Sequence, residues 1–192
     1  KEAMRRSKVE PDAVEQTIFG HARQAGNGPN TGRQVSVRAG VPVEVSGYNV
    51  NVACGSGMKA VQLGAQQIAL GDSQVVLAGG MENMTRVPFI LDRMRTGYRM
   101  GDAQVDDAMY RDGQLDPLCG LIMGETAENL VDRYDISRVE QDEFALESQQ
   151  KARAGTDARA DELFPVEVPA GKGTVIVTAD EHPRPETTLD AL

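Results

Sequence analysis

The chain has 192 residues and a formal net charge of −9, with 40% hydrophobic and 26% charged residues. This length allows one sizeable hydrophobic core, and the composition is that of a globular protein, which excludes a disordered chain. The acidic balance excludes nucleic acid as the main partner, because phosphate backbones are bound by clustered Lys and Arg, and the absence of long apolar runs predicts no membrane partner.

Two cysteines, Cys54 and Cys119, form no Cys-x-x-Cys pair and are accompanied by no paired histidines. The sequence therefore predicts neither a zinc site nor a disulfide framework. We expect free thiols in a reducing, cytoplasmic compartment, with no metal and no covalently bound cofactor. Because the chain begins with Lys1 inside a helix-like segment, we expect the N-terminus of the full protein to be missing.

The first half of the chain alternates between strand and helix patterns. Apolar, β-branched runs bounded by Gly or Pro predict strands, and apolar residues at helical spacing predict helices. The predicted elements are helix 1–10, strand 14–20, loop 24–31, helix 31–38 capped by Thr31, strand 43–53, helix 56–70 and strand 73–80. This alternation indicates an α/β fold.

The last three of these elements predict one βαβ unit with a right-handed crossover. Helix 56–70 is apolar on most faces, so we expect it to be deeply buried. The run Ser73-Gln-Val-Val-Leu-Ala-Gly-Gly80 is short and continuously apolar, which is typical of a central parallel strand.

The second half of the chain has a different pattern. Residues 81–117 contain scattered Met, Arg, Asp and Gly without a sustained period, as expected of an inserted loop region. Ser137-Arg-Val-Glu140 matches a helical capping box. The predicted elements after this loop are helices 120–134 and 138–154, a hairpin of strands 164–169 and 174–179, and a helix over 187–192.

The segment Asn51-Val-Ala-Cys-Gly-Ser-Gly57 places Cys54 between a predicted strand and a predicted helix. The first N–H groups of a helix have no backbone partner, and the helix dipole favours negative charge there. Because a thiolate is the nucleophile, this position favours acyl transfer onto sulfur. Gly55 and Gly57 would let the backbone turn tightly.

Spacing alone leaves a second interpretation of Cys54 open. Free cysteine is among the most buried residue types, and a lone Cys-Gly-x-Gly has many structural uses. Without further motifs, a core cysteine is the more common outcome.

Longer motifs around Cys54 resemble those of a known family. Val45-Ser-Gly-Tyr-Asn-Val-Asn-Val-Ala-Cys-Gly-Ser-Gly-Met-Lys-Ala-Val61 is similar to the acyl-enzyme signature of thiolases, and Val75-Val-Leu-Ala-Gly-Gly-Met-Glu-Asn-Met-Thr85 resembles the strand that follows it. Met109-Tyr-Arg-Asp-Gly113 and Met123-Gly-Glu-Thr-Ala-Glu-Asn129 resemble segments of the loop domain that covers the coenzyme A tail. The chain is identified by these motifs as a thiolase, comprising the N-terminal half and most of the loop domain.

The resemblance implies an acyltransferase of fatty acid metabolism, such as an acetyl-CoA C-acetyltransferase or a 3-ketoacyl-CoA thiolase. Coenzyme A thioesters would be its substrates, and a homodimer or homotetramer its assembly. Cys54 would accept the acyl group, and Met123 would line the acyl and pantetheine pocket. Asn51, Gly55 and Gly57 would hold the nucleophile loop in shape.

The same resemblance implies a partial thiolase-like fold. Residues 1–86 would form an incomplete N-terminal half-core without its first strand, and residues 87–192 a truncated inserted loop domain, with the C-terminal half absent. Arg93, Arg95 and Arg99 resemble a basic loop that joins dimers into tetramers in some thiolases, although an exposed loop with solvated charges is the more common explanation.

Thiolases also use a His and a second Cys from their C-terminal half, and no matching motif occurs in this sequence. We expect Cys119 to pack inside the loop domain, His182 to be an exposed loop residue and His21 to be structural. Little or no turnover is therefore expected from these residues alone. Ile122 stands where many thiolases have His before the pocket Met, which allows a longer or branched acyl chain.

Two other functions remain open at this level. A decarboxylating ketoacyl synthase shares the fold, although the motifs between Gly79 and Asn129 favour a thiolase. A non-catalytic coenzyme A or lipid-binding relative is the alternative from another class, and the intact Cys54 argues against it.

Overall fold

The computed structural model describes all residues from Lys1 to Leu192. The chain divides into two compact units, Lys1–Met123 and Gly124–Leu192. The division expected from the family resemblance, after residue 86, stays a prediction. None of the helices combines the length and the apolar composition that crossing a bilayer requires.

A three-stranded parallel sheet organises the first unit. Its strands are β1 (Gln16–Gly20), β2 (Ser46–Val50) and β3 (Val76–Gly80), in the order β2-β1-β3. The final residues of the three strands lie opposite one another, so the strands end together at one edge. The loops that follow them therefore meet at this edge.

Three helices accompany the sheet, α1 (Glu2–Ser7), α2 (Thr31–Ala39) and α3 (Ser56–Leu70). The predicted cap of α2 is wrong, because Asn30 is the N-cap and its side chain accepts the Arg33 N–H at 3.0 Å. The hydroxyl of Thr31 bonds instead to His21 and Asn49.

The core of the first unit lies around β1. Ile18, Val14, Thr17 and Ser36 are its largest fully buried side chains. Burying an aliphatic side chain of this size stabilises a fold by roughly 1.5–3 kcal/mol. The two polar members satisfy each other, since the Thr17 hydroxyl donates to Ser36 Oγ at 3.1 Å.

The predicted burial of α3 is wrong. Only Ser56, Ala60 and Gly64 are buried, whereas Met58 is 81% exposed and Leu70 77%. One face of the helix packs on β1 and β3, and no element of this chain covers the opposite apolar face. An apolar pattern on all faces shows that a helix favours burial. It does not show whether the residues that pack against each face belong to the same chain.

The predicted central position of strand 73–80 is also wrong. The strand forms as β3 but lies at the edge of the sheet, with β1 in the centre. A continuously apolar run indicates that both faces of a strand are buried. It does not indicate that the strand has a hydrogen-bonded neighbour on both sides. The predicted β2-α3-β3 unit is present and parallel, with β1 between its two strands.

Short helices and strands form in the region that begins at residue 81, where an irregular loop was expected. They are a 3₁₀ turn at Met84–Arg86, β4 (Phe89–Ile90) paired with β5 (Asp106–Asp107), α4 (Ala108–Arg111), and β6 (Leu115–Asp116) paired with β7 (Leu121–Ile122). The predicted helix over 120–134 therefore begins later, because its first residues pair as β7. Arg111 bonds to the carboxylates of Asp92, Asp106 and Asp112, which raise its pKa.

The second unit consists of helices and a hairpin. Its elements are α5 (Met123–Tyr134), which starts at the last residue of the first unit, α6 (Arg138–Ala154), α7 (Thr156–Arg159), a 3₁₀ turn at Ala160–Glu162, β8 (Val166–Ala170), β9 (Gly173–Val177) and a 3₁₀ turn at Leu189–Ala191. The hairpin and the capping box of Ser137 and Glu140 are confirmed. The predicted terminal helix is wrong, because only a single 3₁₀ turn forms.

Candidate active site

The site lies at the edge where the three parallel strands end. Loops at the carboxyl ends of parallel strands are the usual ligand-binding position in open α/β sheets. Cys54 follows the end of β2 by four residues and directly precedes Gly55, the N-cap of α3. No side chain caps this helix. The Ser56 N–H donates to the Ala53 carbonyl at 3.1 Å, so the next N–H groups, those of Gly57 and Met58, are the ones available to a ligand.

Residues 51–56 form a tight turn, here called the cysteine turn. Ala53 has a left-handed φ of 49°, which costs a non-glycine residue about 1–2 kcal/mol. Asn51 Oδ1 accepts the Ala53 N–H at 3.0 Å. Ser56 Oγ accepts the Val52 N–H at 2.9 Å and donates to the Ala53 carbonyl at 2.6 Å. These bonds hold the unfavourable backbone angle and leave Cys54 exposed.

The conformational reason given for Gly55 and Gly57 is wrong. Gly55 has an ordinary φ of −80°, and neither glycine has a positive φ. The residue with the unusual backbone angle is Ala53. The loop-shaping role of the two glycines stays a prediction.

Close packing explains the glycines that end β1 and β3. A Cβ on Gly20 would lie 2.3 Å from the carbonyl carbon of Ser56, and one on Gly80 would lie 3.1 Å from Gly57 Cα. Any side chain at Gly20 would displace the start of α3. The absence of side chains brings the helix, and with it the cysteine turn, against the ends of the strands.

A cavity of about 400 Å³ opens beside the cysteine turn. Its lining includes Cys54, Ser56, Gly57, Met81, Met109 and Met123. Two residues that the sequence proposed for one site, Cys54 and Met123, thus share a cavity although 69 positions separate them (123 − 54). Met side chains are flexible and polarizable, so they adapt to apolar ligands of different shape.

Asn51 does not line this cavity but contacts the loop that follows β1. Its Nδ2 donates to the Ala22 carbonyl at 3.4 Å. Asn51 therefore joins the cysteine turn to that loop, which supports the loop-holding role proposed for it.

The other titratable candidates lie elsewhere. His21 is buried, and its Nδ1 lies 2.6 Å from the Thr31 hydroxyl. It lines a second cavity of about 280 Å³ and not the cavity of Cys54. His182 is exposed, as predicted. Cys119 is exposed, so the prediction that it packs inside the loop domain is wrong; it follows the two-residue strand β6, which leaves it little to pack against.

Sequence reasoning missed the two charged residues of the cavity, Arg23 and Glu82. Glu82 lies within a motif that carried the family resemblance, but nothing in that motif indicates its partners. Arg23 stands in a Gly/Asn-rich loop without a recognisable pattern. Their contacts join positions about 60 and 90 residues apart, which no local signal reports.

Comparison with known proteins identifies the family of the chain. The family model for the thiolase N-terminal domain matches residues 1–192. A probable acetyl-CoA acyltransferase of Staphylococcus epidermidis is 44% identical over 195 residues, covering 100% of this chain and 50% of the relative. An acetyl-CoA acetyltransferase of Pseudomonas aeruginosa is 46% identical over 182 residues, covering 93% of this chain and 46% of the relative. The crystal structure of the Bacillus anthracis acetyl-CoA acetyltransferase matches with a TM-score of 0.92 at 39% identity, over 98% of this chain and 48% of that one.

The chain belongs to the thiolase family. The prediction of an α/β, partial thiolase-like fold is confirmed by the solved structures. The chain spans about half the length of the curated relatives it matches.

Proposed function

We propose that the full protein is an acyl-CoA C-acyltransferase that forms or cleaves 3-ketoacyl-CoA, with Cys54 as the acyl acceptor. The observation that carries this proposal is the exposed Cys54 on a tight, left-handed turn beside an apolar cavity of about 400 Å³. The relatives are named as a probable acetyl-CoA acyltransferase and an acetyl-CoA acetyltransferase, which supports the same class of reaction.

The chemical step is a transfer between two sulfur atoms. The Cys54 thiolate attacks the thioester carbonyl carbon, a carbon–sulfur bond to Cys54 forms, and the bond to the coenzyme A sulfur breaks. The coenzyme A sulfur leaves with the electron pair and takes up a proton. The acyl group then passes to the sulfur of free coenzyme A, or to the α-carbon of a second acyl-CoA after that carbon has lost a proton to a base. In both cases the carbon–sulfur bond to Cys54 breaks and the Cys54 sulfur keeps the electron pair, which gives ping-pong kinetics.

Each residue of the site has a proposed role in this step. Met123 contacts the acyl chain and the pantetheine arm. Asn51, Gly55 and Gly57 hold the cysteine turn in shape, and the unpaired N–H groups at the start of α3 face the thioester oxygen. Coenzyme A thioesters are the substrates, and no covalently bound cofactor takes part.

The proton of Cys54 needs an acceptor, and the one carboxylate that lines the cavity, that of Glu82, already accepts the N–H groups of Ala22 and Arg23. No His lines the cavity, and Cys54 is its only cysteine. We infer that the 192 residues alone give little or no turnover, and that the rest of the protein supplies the base. The homodimeric or homotetrameric assembly, the cytoplasmic location and the division into residues 1–86 and 87–192 remain predictions.

Incubation of the full-length protein with acetyl-CoA, followed by an acidic quench and peptide mass mapping, tests the proposal. One acetyl group is expected on the peptide that contains Cys54. Cys119→Ser should retain this adduct and Cys54→Ser should lose it. Cys119 is exposed as well, so it reports non-specific acetylation, and equal labelling of both cysteines would contradict the proposal. An unlabelled Cys54 with retained coenzyme A binding would indicate the non-catalytic alternative.

A further inference from the structure

Residues 21–23, here called the bridge loop, connect the cysteine turn to the far wall of the cavity. The Glu82 carboxylate accepts the N–H of Ala22 and, through Oε2 at 3.1 Å, the N–H of Arg23. On the other side, Asn51 donates to the Ala22 carbonyl at 3.4 Å. The bridge loop is therefore held from both sides by residues that follow β2 and β3.

The Arg23 side chain extends this connection. Its guanidinium donates to the carbonyls of Asp112 at 3.2 Å and Gly113 at 2.8 Å. A Cβ on Gly113 would lie 2.4 Å from the Met109 carbonyl oxygen and 2.5 Å from Arg23 Nη2, so the main chain requires a glycine here and its absence of a side chain also leaves room for Arg23. The Arg23 Nε–H is buried without a partner, an unusual state for a buried donor. The two hydrogen bonds to the Asp112 and Gly113 carbonyls thus hold the side chain in place, although its Nε–H donor stays unpaired.

The segment that Arg23 holds forms one wall of the cavity. Met109, Gly113, Gln114 and Met123 belong to this wall, here called the methionine wall. The Gln114 carbonyl accepts the Met123 N–H at 3.2 Å. A continuous series of hydrogen bonds therefore runs from Glu82 through Arg23 to the segment that positions Met123.

We propose that Arg23 is a positioning residue that determines acyl-chain specificity, and that Glu82 fixes its backbone. Together they set the position of the methionine wall relative to Cys54, and thereby the acyl lengths that the cavity accepts. This inference rests on the proposed function, because it assigns the cavity to the acyl group of a coenzyme A thioester.

The test compares Arg23→Met with Arg33→Met in the full-length protein. Arg33 is a matched control because its guanidinium also bonds two main-chain carbonyls, those of Val43 and Val45, but it does not line the cavity. Single-turnover acylation of Cys54 is measured with straight-chain acyl-CoA thioesters of two, four and six carbons.

Arg23→Met should lower the second-order rate constant of Cys54 acylation by roughly tenfold to a hundredfold, the loss expected from a displacement of about 1 Å. The loss should differ among the three thioesters, so that the parent's chain-length preference flattens. Arg23→Lys should restore the preference only in part. The Lys ammonium is a compact point charge, whereas the Arg guanidinium donates to two carbonyls at once in a fixed geometry. Arg33→Met should leave the ratio among the thioesters unchanged even if it lowers the stability.

Glu82→Gln provides an isosteric second variant if Arg23→Met does not fold. It replaces one acceptor oxygen by a donor that faces the Arg23 N–H, and should shift the chain-length preference in the same direction as Arg23→Met. If the folded variants keep the parent's ratios of acylation rates among the three thioesters, the inference about Arg23 is wrong and the proposed function is unaffected. A parent that forms no Cys54 adduct would overturn the proposed function, and the inference with it.

Discussion

The two units of the chain reach their secondary structure by different physical routes. Every buried residue lies in Lys1–Met123, and the strands of its sheet pair across tens of residues. In Gly124–Leu192 no residue is buried, and Phe144 is 74% exposed. Mostly local contacts hold its helices, such as the capping box of Ser137, and two hydrogen bonds join α6 to the C-terminal segment. The first unit depends on burial, and the second on signals between near neighbours.

This difference bears on the proposed chemistry. An active site needs side chains held in one geometry by rigid surroundings. The cysteine turn and the bridge loop stand on the sheet of the first unit, whereas elements without a buried core are expected to open at low free-energy cost. Matched residues of the two units should therefore respond differently to the same substitution.

The largest contrast is expected between two isoleucines. Ile18 in β1 is 0% exposed and Ile176 in β9 is 60% exposed. Ile18→Ala should lower the free energy of unfolding by about 2–5 kcal/mol, because it removes buried methyl groups and leaves a cavity. Ile176→Ala should change it by no more than about 0.5 kcal/mol. Urea denaturation measures both, and equal effects would contradict the contrast between the units.

Two glycines give the next contrast. Gly20→Ala places a Cβ 2.3 Å from the main chain of Ser56, whereas Gly124 in α5 has nothing within 4 Å of its Cβ position. Gly20→Ala should cost about 1–3 kcal/mol through overpacking and should slow acylation of Cys54. Gly124→Ala should stabilise its helix by up to about 1 kcal/mol.

Thermal unfolding and the acylation assay separate these two outcomes. A Gly20→Ala protein with parental acylation would show that the cysteine turn does not depend on the close packing of α3 on β1. A Gly124→Ala protein that is destabilised would show that α5 has a packed neighbour at this position.

The sequence predicted what is encoded locally. The helix of residues 56–70, the strand before Gly80 and the capping box of Ser137 each follow from a pattern within about fifteen positions. The family resemblance also proposed Cys54 and Met123 for one site, and the structure brings them to one cavity.

The remainder depends on contacts between distant residues that no pattern reports. The central place of β1, the left-handed Ala53 and the bonds of Glu82 to the bridge loop belong to this group. The exposure of α3 could not be predicted either, because an apolar helix pattern does not say whether its cover belongs to the same chain.

Two helix caps provide a smaller contrast. Asn30 caps α2 and also donates to the Gly47 carbonyl at 2.8 Å, so it joins the helix to β2. Ser137 contacts only its own helix through Glu140. Ser137→Ala should cost about 1 kcal/mol, whereas Asn30→Ala should cost more, because Ala also adopts the left-handed φ of 47° unfavourably.

Hydrogen exchange followed residue by residue distinguishes the two variants. Faster exchange in Ser137→Ala should be confined to the first turn of α6. In Asn30→Ala it should reach β2 as well. Exchange confined to α2 would contradict the proposed link between the cap and the sheet.

The smallest expected effect is a pH dependence of the two helix starts. Hydrogen bonds from the Ser137 main chain and hydroxyl lower the pKa of Glu140 from its ordinary 4.5, and hydrogen bonds from Arg5 and Arg6 lower that of Glu2 to about 2. Both carboxyls are therefore stabilising above pH 4.5, and the stabilisation is lost as the pH falls through the folded-state pKa. The start of α6 should weaken on acidification before the start of α1, because Glu2 stays ionised to about pH 2. NMR titration of the two carboxyl groups measures this order, and in Ser137→Ala the pKa of Glu140 should return towards 4.5 while that of Glu2 stays unchanged.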